Sequence, residues 1–279
     1  VTWRPALVCI VLFVAGCGST PRGGYYEDDG PHANPPDVSA VPDAVPRIEP
    51  RAASGNNPYT VMGKTYHPVN DARGYRERGV ASWYGKKFHG RRTSSGEPYD
   101  MYAMTAAHRT LPLPSYVRVR NLRNGSSVVV RVNDRGPFLH NRLIDLSYAA
   151  ATRLGIVATG TGVVEVEAIS PGAPVTQVAN RPTVEIISSA QAAPQQVRPD
   201  PVLYVQAGAF GQWDNAMGMR QRLESAGLGP VFIESATHEA SGARIYRVRI
   251  GPVASVEAGD RLSEQLAAQG VVDAHLIVE

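Results

Sequence analysis

The run Val128-Val129-Val130-Arg131-Val132-Asn133-Asp134-Arg135-Gly136-Pro137 carries the pattern on which the fold turns. Val128, Val130 and Val132 alternate, so they share one face of a strand. Asp134 has the same parity and carries that face to the strand's end, where apolar neighbours disfavour an ionised carboxyl. Arg131 and Arg135 have the opposite parity and need not neutralise it. Just upstream, Val117 to Leu122 and Asn124-Gly125 predict the first arm and tight primed turn of a hairpin. Gly79 to Tyr84 reads as a short strand, and Val163, Val164 and Val166 begin a last one. Ser147 is placed to cap a short helix, Tyr148 to Leu154, which Gly155 ends.

A second module, about Val202 to Glu279, has another rhythm. Strands are expected at Leu203 to Gln206, Val231 to Ile233, Ile245 to Ile250 and Leu276 to Val278. Helices are expected at Asp214 to Ala226, with Ala216, Met219 and Leu223 on one stripe, and at Ser255 to Ala268. The order βαββαβ predicts a four-stranded sheet backed by two helices. Between the modules, 171–201 is rich in Pro, Gln and Ala and reads as a linker, with Val184 to Ile187 as a candidate strand. Residues 17–58 are polar and rich in Pro, Gly, Asp and Ala, and read as a flexible tether.

The chain opens with Arg4, an apolar run from Ala6 to Val14, and Val14-Ala15-Gly16-Cys17. The run is too short to span a bilayer, and small residues before a cysteine mark residues 1–16 as a lipoprotein signal with acylation of Cys17. Cys9 lies in the removed part, so the mature chain has no cysteine pair for a disulfide or for thiol or zinc chemistry. Gly18 and Ser19 follow Cys17, and resemblance to Gram-negative lipoproteins implies the outer membrane. The net charge of +3 gives no argument for nucleic acid. The seven histidines lack metal-ligand spacing, and no Gly-x-Ser-x-Gly elbow, phosphate loop or His-Glu-x-x-His is present, so neither metal nor cofactor is expected.

Three blocks of the first module concentrate unusual residues. They are Ala81-Ser82-Trp83-Tyr84-Gly85 with Thr93-Ser94-Ser95-Gly96-Glu97, then Thr105-Ala106-Ala107-His108-Arg109, then the opening run followed by Leu143-Ile144-Asp145-Leu146-Ser147. In this order they resemble the rare lipoprotein A family, septal-ring lytic transglycosylases. That resemblance implies a six-stranded double-psi β-barrel over 59–170, and Asp134, Glu97 and His108 as the catalytic set. Ser94 departs from the family's usual alanine, with no consequence expected. Asp145, just before a helix N-terminus whose field favours the charged form, is the rival acid or a positioning group. Trp83 and Tyr84 are candidates to stack on sugar rings. Chemically, glycan cleavage needs one carboxyl kept protonated near neutral pH. In lytic transglycosylation the substrate's own C6 hydroxyl replaces water.

Tyr204-Val205-Gln206-Ala207-Gly208 and Tyr246-Arg247-Val248-Arg249-Ile250 resemble the signature strands of a SPOR domain, which implies binding of glycan stripped of stem peptides over 202–279. Gln206, Tyr246 and Arg249 are the candidate contacts. The expected protein is thus a mostly β catalytic barrel plus an α+β, ferredoxin-like SPOR module. It would be lipid-anchored at the periplasmic face of the outer membrane, enriched at the septum, with septal cell-wall machinery as further partners. The alternative is an expansin-like or septal glycan-binding lipoprotein that holds sugar without cutting it.

Overall fold

The computed structural model describes residues 29–170, 200–237 and 242–279. Cys17, the signal segment and the candidate strand Val184 to Ile187 lie outside the described residues.

A small hairpin, β1 (Tyr59–Val61) with β2 (Lys64–Tyr66), precedes the barrel. The barrel strands are β3 (Arg76–Tyr84), β4 (Thr105–His108), β5 (Ser115–Asn121), β6 (Ser127–Asp134), β7 (Ile144–Ser147) and β8 (Gly162–Ala168), with α1 (Tyr148–Leu154) between the last two. They close in the order β3-β7-β4-β6-β5-β8. Two pairings, β3 with β7 and β4 with β6, are parallel and the other four antiparallel. This is the closed six-stranded barrel expected. Val117, Val119, Val130, Val132, Ile144, Leu146, Val164 and Val166 fill it, with Ala149 to Ala151 and Leu154 of α1 packed in. Ser147 Oγ accepts from the Ala150 N–H, and Gly155 at φ +71° ends the helix, as its sequence required.

Two expectations change. The β5–β6 connection is not a two-residue primed turn. Its Asn121 side chain accepts from the Arg123 and Asn124 N–H groups, and Gly125 N–H bonds back to Asn121 O, giving a longer loop. The larger change is in 29–58, which is laid along the barrel and is no tether. Asp29 is buried and accepts from the N–H groups of Gly85 and Lys87. Val38 is buried in the barrel cluster, Ala44 N–H bonds to Val129 O, Ala52 N–H to Leu113 O, and Arg153 reaches Val41 O and Asp43. Composition predicted exposure, but a strap lying on a barrel needs only a few apolar residues at the points where it touches.

The second module has β9 (Leu203–Phe210), α2 (Trp213–Ser225), β10 (Val231–Thr237), β11 (Arg244–Val253), α3 (Val256–Ala268) and β12 (His275–Val278). Its sheet runs β10-β11-β9-β12, all antiparallel. Both helices cover one face through Ala216, Leu223 and Leu266. The βαββαβ order is the one expected.

The module docks on the barrel through the connection between β6 and β7. Arg142 makes a two-point ion pair with Asp260 of α3 at 3.1 and 2.7 Å. Asn141 donates to Asp260 and Ser263 and accepts from the Leu276 N–H. Val80 and Val163 of the barrel share an apolar cluster with Leu203, Val256, Leu276 and Val278.

Leu154 is fully buried where α1 meets the barrel. Leu154→Ala is therefore expected to cost about 2–5 kcal/mol, read as a lower urea midpoint at unchanged m-value.

Candidate active site

Ala107 organises the site. In β4 it stands beside Asp134 of β6 on one side and Asp145 of β7 on the other. Strands lie about 4.8 Å apart, so the two aspartate backbones are about 10 Å from each other. A register shift at Ala106/Ala107 sets Asn133 and Asp134 against one residue of β4. This bulge is the local device that re-aims the strand's end.

The environments of the two carboxyls are opposite. Asp134 Oδ1 accepts three hydrogen bonds of 2.7 Å, from Ser94 N–H, Ser94 Oγ and Arg135 N–H. The apolar surroundings inferred from strand parity are not what meets this side chain. The Arg135 guanidinium directs its hydrogen bonds to the carbonyls of Gly55, His108 and Leu111 and feels Asp134 only through its charge. Asp145, by contrast, has its pKa raised to about 6, mainly by burial. A hydrogen bond from Ser82 Oγ and the charges of Arg142 and Arg109 oppose that rise, and the charge of Asp134 assists it. Burial thus outweighs the helix-terminus field that was expected to favour the charged form, and shifts Asp145 towards the protonated one.

Glu97 is not a free loop carboxylate. Arg131 grips it at 2.7 and 2.9 Å, and Asn133 Nδ2 donates at 3.1 Å. The Arg131 hydrogen bonds hold its pKa below the usual carboxylate value. His108 is brought to the site only through its backbone. Its Nδ1 accepts from Thr110 and Leu111 N–H, which leaves the proton on Nε2 facing the Tyr75 hydroxyl at 2.9 Å. Burial lowers its pKa to about 3, so it is neutral. It braces the segment whose carbonyls hold Arg135, a correction to its reading as an acid-orienting or sugar-binding group.

Of the stacking candidates, Tyr84 is buried and stacked on Tyr99 at 4.0 Å, so it is core. Trp83 is half-buried against Tyr148. A half-buried aromatic wall lies elsewhere. Tyr59, Tyr66 and Phe138 cluster at 5.3–6.2 Å beside a cavity of about 390 Å³ that Ser94 and Arg135 also line. In the second module, Gln206 and Arg249 are cross-strand partners on the face away from the helices. Arg249 is buried and paired with Glu234 and Glu279, which limits it as a contact. Tyr246 lies on the opposite face, against Trp213 at 5.3 Å and the module's core. Tyr204 and Phe232, in contact at 5.4 Å, were overlooked.

Sequence reasoning also missed Ser82 and Ser94, which touch the two aspartates. Ser82 lies in β3 between Ala81 and Trp83, both packed against the barrel core, and no local periodicity singles it out. Ser94 was treated as inconsequential, yet its hydroxyl donates directly to Asp134.

Barrel and sheet together define a double-psi glycan-cleaving domain joined to a SPOR module, and the comparisons agree. A family model described as lytic transglycolase matches 76–168, and one described as SPOR domain matches 200–276. The chain is 44% identical over 271 residues to the endolytic peptidoglycan transglycosylase RlpA of Pseudomonas aeruginosa, covering 82% of this chain and 78% of that one. It is 41% identical over 263 residues to the protein of that name from Vibrio cholerae, covering 94% and 91%. The solved RlpA SPOR domain from Pseudomonas aeruginosa is 29% identical across 27% of this chain and 96% of that domain, with a TM-score of 0.25. The chain belongs to the rare lipoprotein A family.

Ser82→Ala removes a hydrogen bond that favours ionised Asp145. The Asp145 pKa should therefore rise further above about 6, measurable by carbon NMR titration of labelled aspartate carboxyls.

Proposed function

We propose that this chain is a peptidoglycan lytic transglycosylase that cuts the MurNAc–GlcNAc bond of stem-peptide-free strands and leaves 1,6-anhydroMurNAc ends. The observation that carries the reading is the pair of aspartates flanking Ala107 at one barrel end, where desolvation raises the Asp145 pKa to about 6 while Asp134 accepts three hydrogen bonds. Asp145 donates its proton to the glycosidic oxygen as that bond breaks. The resulting carboxylate then takes the proton of the C6 hydroxyl as its oxygen attacks the anomeric carbon. Asp134 and Glu97 supply negative charge to the oxocarbenium-like transition state. Asp134, the first candidate for the acid, thereby becomes a stabiliser, and Asp145 takes its place. The aromatic wall beside Ser94 offers ring stacking for the strand.

The SPOR module holds denuded glycan on its open sheet face, with Gln206, Tyr204 and Phe232 as contacts. This raises the local concentration of substrate without adding a catalytic contact. Acylation of Cys17 fixes the enzyme to the periplasmic face of the outer membrane, and denuded strands concentrate it at the septum during daughter-cell separation. Septal cell-wall proteins are the partners such a position implies.

The test is incubation with amidase-treated peptidoglycan and mass spectrometry of the released sugars. Anhydromuramyl products are expected from the wild type, with turnover down about 10²–10⁴-fold in Asp145→Asn, the range for removal of a general acid. Products undiminished in Asp145→Asn and abolished in Asp134→Asn would return the acid to Asp134. Glycan sedimentation without products from the wild type would make the chain a binding protein. Because the acid must be protonated, kcat should fall as pH rises through about 6, and a pH–rate profile checks this.

A further inference from the structure

Glu49 lies in the strap, 27 residues before the matched catalytic domain begins at Arg76. Its carboxylate meets Arg131 at two points, with Nε to Oε1 at 2.9 Å and Nη2 to Oε2 at 2.8 Å. The other edge of the same guanidinium grips Glu97. One planar cation therefore lies between two carboxylates, with Nη2 donating to both. Tyr116 O–H donates to Glu49 Oε1 and Arg47 stands 3.4 Å from it. Glu49 and Arg131 are each only 16% exposed at the side chain, whereas Glu97 is 43% exposed. The inner pair is thus the more shielded, and the outer carboxylate meets the remaining edge of its fork. A guanidinium fork is directional, so fixing one edge fixes the other. The strap cannot drift there, because backbone bonds at Ala44 and Ala52 tie it down on either side of Glu49.

We infer that Glu49 is a positioning residue of the active site, orienting Glu97 through Arg131, so that chain upstream of the barrel completes the catalytic constellation. The inference rests on the reading that Glu97 acts in the cleft. Neutralising Glu49 leaves Arg131 free to rotate about its stem and Glu97 free to follow it. Substrate contacts elsewhere remain, so turnover rather than binding should suffer.

The experiment uses the full-length chain and denuded peptidoglycan, with kcat and KM for Glu49→Gln, Glu49→Asp, Glu97→Gln and Asp43→Asn. Glu49→Gln is expected to lower kcat about tenfold, the scale for misalignment of a reacting group, with KM within about twofold. Glu49→Asp should recover part of the loss, since a shorter carboxylate can still meet the fork. Asp43→Asn breaks the tie from the strap to Arg153 and should keep wild-type kcat, which separates alignment from general loosening of the strap. Wild-type kcat in Glu49→Gln beside an inactive Glu97→Gln would overturn the role of Glu49 alone. Full activity in Glu97→Gln would remove the reading of Glu97 and this inference with it. Equal losses in Glu49→Gln and Asp43→Asn, matched by equal losses of melting temperature, would also overturn it.

Discussion

The molecule depends on parallel pairing across a closed barrel. Parallel neighbours cannot be joined by a tight hairpin, so β4 reaches β6, and β3 reaches β7, by way of intervening chain. That crossing puts β4 between β6 and β7, with Ala107 as the shared neighbour of Asp134 and Asp145. Two acids 11 positions apart along the chain thus flank one residue. Closure also removes the sheet edges that would otherwise invite pairing with other chains.

The same frame separates the chemistry of like side chains. Burial acts on Asp145, where a lone hydroxyl and two more distant cations fail to offset desolvation. Direct donors act on Asp134 and Glu97, from a serine backbone and hydroxyl in one case and an arginine fork in the other. Burial raises the pKa of Asp145 and the arginine fork lowers that of Glu97, so two carboxyls of one barrel differ in proton affinity. His108 shows the converse. Two backbone donors and burial hold it as a neutral ring.

Much of this was legible in the chain. The Val128 to Val132 alternation, the Ser147 cap, the Gly155 stop and the βαββαβ order of the second module are local signals, and each maps onto an element. The site's members were legible too, but their roles were not. Parity placed Asp134 on an apolar face, and the bulge at Asn133 together with Ser94, 40 residues upstream, reversed that inference. Tyr84 and Tyr246 read as surface aromatics because nothing local tells a stacked core ring from a binding platform. The strap was least legible. Its contacts reach residues as much as 112 positions away, and sparse apolar residues in a Pro-rich stretch have no periodicity to betray them.

The strap also alters the geometry of the whole enzyme in its envelope. With a lipid at Cys17, as we propose, a tether of residues 18–58 would have separated membrane and barrel. Instead the chain is already fastened to the barrel at Asp29, so at most the length of residues 18–28 can separate the two. A trans polypeptide advances at most about 3.6 Å per residue, so the upper limit on that separation falls from about 150 Å to about 40 Å. With that anchor, the cleft would be a fixed-depth tool, limited to the layer of wall nearest the membrane by the number of residues between Cys17 and Asp29.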